Sequence, residues 1–138
     1  MVRLKEVKIT ADTNILVRAI VADDAKQART AQNALEKAEL VAIATPALCE
    51  LVWVLSRGYG IANSDIVEAI RRLIASAKVE ANRSAIEAGL ALLERGGDFA
   101  DGVIAFEGAA LGADTFVSFD KGAVSLLHAE GTGAKLLA

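Results

Sequence analysis

Four short stretches of the chain place a carboxylate beside small or apolar residues. The acids are Asp12, Glu50, Asp101 and Asp120, in the segments ADTNIL, LCEL, DFADGVIA and VSFDK. A carboxylate in a medium of low dielectric constant is costly unless it has a partner. One shared divalent cation would give all four acids a partner, because carboxylate oxygens suit Mg²⁺ and Mn²⁺. The pattern therefore indicates a metal site able to hydrolyse phosphodiester bonds.

Two of these acids also have simpler explanations. Asp12 follows a predicted strand and could cap the next helix, with Thr13 and Asn14 beside it to orient the carboxylate. Glu50 lies about one turn into another predicted helix. It could be an exposed side chain, or it could pair with Arg57 further along the same helix. The sequence leaves these alternatives open.

The carboxylates in the second half of the chain have alternatives of the same kind. Asp98 is expected to be a helix N-cap, whereas the apolar neighbours of Asp101 hold that carboxylate against the core. Asp120 precedes Lys121 and Gly122 and could belong to an ordinary polar turn. A shared site explains all the acids at one end of one sheet more simply than separate coincidences do.

Composition narrows the possible classes of protein. A chain of 138 residues suits one domain with one core, residues 1–138. The net charge is −3 and the pI is about 5.2, which argues against a simple DNA-binding module but not against a nuclease that uses metal ions. The hydrophobic fraction of 54% predicts apolar surface that a partner or a second copy could cover.

Few residues are available for other kinds of chemistry. Cys49 is the only cysteine and His128 the only histidine, which excludes an internal disulfide and a zinc site built on cysteine or histidine. Trp53 is predicted to lie in the core or at an interface. The amino terminus, 1–9, has no continuous apolar stretch for a signal peptide, and no run is long enough to span a membrane. A cytoplasmic protein is therefore expected.

Apolar periodicity predicts strands that alternate with helices. Strands are expected near 7–12, 41–44, 79–81, 115–119 and 134–137, and helices at 14–22, 26–38, 46–56, 63–75, 85–95 and 98–112. We expect Thr45 to cap the third helix and Ser84 with Glu87 to form a capping box. Such alternation predicts a parallel sheet covered on both faces, with ligands beyond the carboxyl ends of its strands. Asp12 and Asp120 follow two of these strands.

The order and spacing of these segments resemble those of PIN-domain ribonucleases, and more narrowly of VapC-type toxins from toxin–antitoxin pairs. The resemblance rests on ADTNILVR, ELVWVL, GDFAD and SFDK, and it weakens after Lys121. It implies a three-layer α/β/α sandwich with a parallel sheet of about five strands, usually dimeric. It also implies an endoribonuclease that uses Mg²⁺ or Mn²⁺ and is blocked by an antitoxin protein. The residues implied at the site are Asp12, Glu50, Asp101 and Asp120 as metal ligands and catalytic acids, with Asn14, Ser118 and Asp98 in support.

Two other functions fit parts of the pattern. A phosphatase-type hydrolase on a similar sheet would place a second aspartate two residues after Asp12, where this chain has Asn14. A non-catalytic binding module could retain the acids without the reaction. If the substrate is RNA, its recognition is expected to involve scattered basic residues, among them Arg18, Arg57, Arg71 and Arg72.

Overall fold

The computed structural model describes residues 7–138, which form helices linked to short parallel strands. The strands are β1 (Lys8–Thr10), β2 (Leu40–Ala42), β3 (Val79–Glu80), β4 (Phe116–Ser118) and β5 (Ala134–Leu136). The helices are α1 (Thr13–Val21), α2 (Ala25–Lys37), α3 (Thr45–Trp53), α4 (Asn63–Ala75), α5 (Arg83–Glu94), α6 (Phe99–Ala110) and α7 (Lys121–Ala129). A π-helix, Val54–Gly58, follows α3 directly.

One compact unit of the chain runs to Ala81 and contains a three-stranded parallel sheet in the order β1-β2-β3. Ile9 is in register with Val41, which is in register with Val79. The core of this unit includes the fully buried Leu48 and Leu51, since the apolar side of α3 faces inward. Parallel strands need long crossover connections, and helices α1 to α4 supply them or pack on them.

A second compact unit begins at Asn82 and contains β4 and β5, which pair in parallel with Phe116 opposite Ala134. Its core forms where α5 packs on α6 and includes the fully buried Leu90 and Phe99. Helix α7 crosses between the two strands and contacts both of them. Gly96 ends α5 with a positive φ of 86°, a conformation that glycine adopts without steric cost.

The predicted elements are present, with ends that shift by a few residues, but two predicted caps are wrong. Helix α5 begins at Arg83 and is capped by Asn82, whose side chain accepts a hydrogen bond from the Ala85 amide. Ser84 therefore lies inside the helix and cannot head a capping box. Helix α3 already includes Thr45, so its N-cap is Ala44 and no side chain caps it.

The structure also bears on the predictions for Trp53, for the size of the sheet and for membrane-spanning segments. Trp53 is 63% exposed, so the prediction that it could be a core residue is wrong. The five strands within residues 7–138 lie in a three-stranded and a two-stranded sheet, and a single sheet of about five strands is shown only in part. No helix in the described part of the chain is long and apolar enough to cross a membrane. The absence of a signal peptide was predicted from residues 1–9, and residues 1–6 of that segment lie outside the described residues.

Candidate active site

Asp12 stands at the carboxyl end of β1 and at the amino end of α1. Its backbone is extended, and its Oδ1 accepts a hydrogen bond of 2.8 Å from the Thr13 amide. Asp12 is thus a helix cap, as the simpler explanation proposed. The cap uses one carboxylate oxygen, and the side chain remains exposed. A capping role and a ligand role are compatible, because a carboxylate has about four lone-pair sites.

Glu50 lines the same cavity as Asp12. The cavity has a volume of about 380 Å³ and is lined by Thr10, Ala11, Asp12, Thr13, Ala44, Pro46, Ala47 and Glu50. The Thr13 hydroxyl, in a side chain only 5% exposed, donates a hydrogen bond of 3.5 Å to the Ala47 carbonyl and so links the starts of α1 and α3. Glu50 is exposed and forms no ion pair with Arg57. The predicted alternative of a Glu50–Arg57 pair is therefore wrong.

Two aspartates of the second unit, Asp98 and Asp120, act electrostatically on a third, Asp101. Asp98 caps α6 by accepting a hydrogen bond of 2.9 Å from the Ala100 amide, which confirms its predicted role as an N-cap. Asp101 lies in the first turn of α6 and is half-buried. Burial raises the pKa of Asp101 above its usual range, and the negative charges of Asp98 and then Asp120 raise it further. Asp98 and Asp120 are therefore each close enough to Asp101 to disfavour its charged form.

Asp120 is the N-cap of α7, and its Oδ1 accepts a hydrogen bond of 3.2 Å from the Ala123 amide. Its own amide donates to the hydroxyl of Ser118, at 2.9 Å, so Ser118 holds the turn in which Asp120 stands. Asn14 lies in the first turn of α1, is exposed and is not part of the cavity lining. The structure thus gives Ser118 a contact with a site residue but gives none to Asn14.

The chemistry of the donor set fits a hard divalent cation. All the candidate ligands are carboxylates. The pKa of Asp101 is raised by burial first and by the charges of Asp98 and Asp120 second, and a cation relieves both costs of the charged form. Within residues 7–138, however, no three histidine, cysteine, aspartate or glutamate side chains are already grouped to hold one ion. Asp12 and Glu50 line one cavity of the first unit, and in the second unit Asp98 and Asp120 act on the charge of Asp101.

Two features of the site were not predicted from the sequence. The buried Thr13 hydroxyl bridges two helices, whereas the sequence suggested only that Thr13 orients Asp12. The exposed ring of Trp53 stands one turn beyond Glu50, and helical spacing alone does not distinguish an exposed aromatic from a buried one.

Comparison with known protein families identifies the class. The model of the PIN domain matches residues 9–126, which include all the candidate acids. The chain therefore belongs to the PIN domain family, and it has a nuclease-type fold of the kind that commonly serves metal-dependent ribonucleases. Membership of this family, together with the parallel strands, confirms the predicted α/β/α fold class. A comparison with curated proteins found no match.

Proposed function

We propose that this PIN domain is an endoribonuclease that hydrolyses RNA phosphodiester bonds with the help of Mg²⁺ or Mn²⁺. The observation that carries the proposal is that Asp12 and Glu50 line one cavity, in a chain that belongs to a family of nuclease fold. Asp101 and Asp120 would complete the ligand set, with Ser118, Asn14 and Asp98 in support. When bound, a divalent ion would stabilise negative charge on the phosphate and promote attack by water.

The side chains have separate tasks in this proposal. Asp12 and Asp120 each use one oxygen to cap a helix, so their carboxylates are held in fixed directions by backbone amides. Glu50 projects from the second turn of α3 toward the same cavity as Asp12. Asp101 lies half-buried in the first turn of α6 and would supply a further carboxylate oxygen to the ion. The proton of the attacking water passes to a carboxylate or to bulk water, leaving a 5′ phosphate and a 3′ hydroxyl.

No histidine takes part in this proposal. The only histidine, His128, lies in the last turn of α7, and its Nε2 contacts the Ala134 carbonyl oxygen of β5. A reaction in which a histidine activates the ribose 2′ hydroxyl is therefore not favoured. Analysis of the ends produced by cleavage tests this point, since a 2′,3′-cyclic phosphate product would contradict attack by water.

The broader biological role that we propose is that of a toxin in a toxin–antitoxin pair, acting in the cytoplasm as a homodimer. Exposed apolar side chains support a surface that a partner protein or a second copy covers. Ile104 is 56% exposed, Phe119 77% and Leu111 90%. An antitoxin protein is expected to bind the chain and block access to the acids. Induced expression should arrest growth, and co-expression of the gene next to this one should relieve the arrest. Arrest that persists in the Asp12→Asn variant would contradict a toxic ribonuclease.

The enzymatic proposal is tested by incubating the purified chain with labelled single-stranded RNA. Cleavage is expected with Mg²⁺ or Mn²⁺, and EDTA should abolish it. Undiminished cleavage in EDTA would contradict the metal-dependent reaction. Release of phosphate from a phosphomonoester without RNA cleavage would favour a phosphatase instead, and RNA binding without any hydrolysis would favour a non-catalytic module.

A further inference from the structure

The exposed side of α3 carries an aromatic ring one turn beyond Glu50. Trp53 is 63% exposed, although its neighbours Leu51 and Val52 are buried. With a rise of about 1.5 Å per residue, the Cα of Trp53 stands roughly 4.5 Å along the helix axis from that of Glu50. A large aromatic side chain left in water, one turn from a carboxylate that lines a cavity, is typical of a surface that binds a partner.

A cation continues the same exposed side. Arg57 lies in the π-helix that follows α3 and is exposed. Leu55, which lies between Trp53 and Arg57 in the sequence, is fully buried. Within residues 7–138 the Arg57 guanidinium has no ion pair. Trp53 and Arg57 therefore form an exposed pair of side chains, an aromatic ring next to an uncompensated positive charge, in line with Glu50.

The backbone that carries this pair is fixed in place. The Tyr59 amide donates to the Val54 carbonyl at 3.2 Å, the five-residue spacing of a π-helix. The Tyr59 hydroxyl donates to Asp23 Oδ2 at 3.3 Å, and Asp23 Oδ1 also pairs with Arg18 at 3.2 Å. These contacts tie the end of the π-helix to the segment that follows α1. Isolated π-turns are found frequently at functional sites.

We propose that Trp53 and Arg57 form a binding platform for single-stranded RNA. A base would stack on the indole, and the guanidinium would bind a phosphate of the same strand, which directs the neighbouring phosphodiester bond toward the cavity of Asp12 and Glu50. Stacking tolerates any base because every base has a π-face, and arginine matches phosphate oxygens with paired donors. A purely apolar protein surface would leave Arg57 uncompensated, whereas an RNA strand supplies both a ring that stacks and an anion, which favours RNA over such a surface. The inference rests on the proposed ribonuclease function.

The chain offers a direct measurement, since Trp53 is its only tryptophan. Tryptophan fluorescence therefore reports on this ring alone. A short oligouridylate is titrated into the protein with Ca²⁺ in place of Mg²⁺, and the RNA is checked to be intact on a gel. Stacking should quench the fluorescence with a saturable dependence on RNA concentration. An unchanged signal at RNA concentrations that saturate binding, measured by anisotropy of labelled RNA, would overturn the proposal.

Variants provide a second readout. Trp53→Ala should weaken binding of the labelled oligouridylate roughly 5- to 150-fold, the range expected for the loss of one stacked base. Trp53→Phe should recover most of the affinity, because a phenyl ring still stacks. Arg57→Ala should weaken binding and reduce its salt dependence, whereas Arg29→Ala, which removes an exposed arginine of α2, should do neither. In cleavage assays the Trp53→Ala variant should mainly raise KM.

The outcomes separate this inference from the function on which it rests. Cleavage by the wild-type chain together with unchanged KM in Trp53→Ala would contradict the platform alone. Failure of the wild-type chain to cleave RNA with any divalent metal would contradict the proposed function. If Trp53→Ala instead dissociates a dimer in sedimentation experiments and leaves RNA affinity unchanged, the ring belongs to a protein interface and the proposal is wrong.

Discussion

Gly102 of α6 lies directly against the backbone of Ala88 in α5. A Cβ at Gly102 would overlap the Ala88 carbonyl oxygen and would lie 2.8 Å from the Cα of Gly89. The two helices therefore approach closely at the residue that follows Asp101. The position of this candidate ligand depends on a contact between backbones, which only glycine allows.

Gly102→Ala should destabilise the protein by about 1–3 kcal/mol, because the added methyl group forces the two helices apart. Gly108 provides a matched control on the same helix, since a Cβ there meets nothing within 4 Å. Gly108→Ala should stabilise the protein by about 0.5–1 kcal/mol, the usual gain of alanine over glycine inside a helix. Urea unfolding followed by circular dichroism measures both changes. Equal effects of the two substitutions would contradict the close packing at Gly102.

Asp98 and Asp101 are expected to differ sharply in cleavage assays. Asp101→Asn should reduce the rate by several orders of magnitude, since it removes a proposed ligand. Asp98→Asn should cost far less, because asparagine caps a helix nearly as well as aspartate. Single-turnover cleavage of labelled RNA with saturating Mn²⁺ makes the comparison. If both variants lose activity equally, Asp98 is a ligand and the assignment within this segment is wrong.

The raised pKa of Asp101 predicts how stability depends on pH in the absence of metal. The folded state holds the Asp101 proton more tightly than the unfolded chain does, so this group lowers the free energy of unfolding as the pH rises from about 4 through its folded pKa. The asparagine of the Asp101→Asn variant cannot ionise, so the variant does not lose this part of its free energy of unfolding. The stability of the variant relative to wild type should therefore increase as the pH rises from about 4 through the folded pKa of Asp101.

Chemical unfolding in EDTA across this pH range measures the difference. Asp65→Asn on α4 is the control, since Asp65 is not one of the carboxylates whose charge acts on Asp101. A difference between Asp101→Asn and wild type that stays constant with pH would contradict a raised pKa. In Asp98→Asn the free energy of unfolding should depend less on pH than in the wild-type chain, because the substitution removes one of the charges that raise the pKa of Asp101.

Asp12 and Asp24 allow capping to be separated from metal binding. Both are helix N-caps, since the Asp24 side chain accepts hydrogen bonds from the Lys26 and Gln27 amides, but only Asp12 lines the cavity shared with Glu50. A ligand that binds only the folded state stabilises it by about 2.7 kcal/mol at a hundredfold excess over Kd. Asp12→Asn should therefore reduce the rise in Tm caused by Mn²⁺, and Asp24→Asn should leave it intact. An undiminished response in Asp12→Asn would show that Asp12 is not a ligand.

The positions of Asp12 and Asp120 could be predicted from the sequence because each follows a β-branched or aromatic run that ends in a polar turn. The cap of α5 could not, because Asn82 and Ser84 are both good N-caps and the sequence does not decide between them. The π-helix after α3 was also missed. Its residues suit an α-helix equally well, and the wider turn depends on tertiary contacts such as that of Tyr59 with Asp23. Long-range contacts of this kind are not encoded in local spacing.

Capping has a consequence for the cost of binding a cation at Asp12 or at Asp120. Each of these side chains already accepts a hydrogen bond from a backbone amide near the start of its own helix. Their rotational freedom is largely lost when the helices fold, so little torsional entropy remains to be lost when a cation arrives. Glu50, with a longer side chain and no cap to hold it, is the carboxylate that must give up the most conformational freedom on binding.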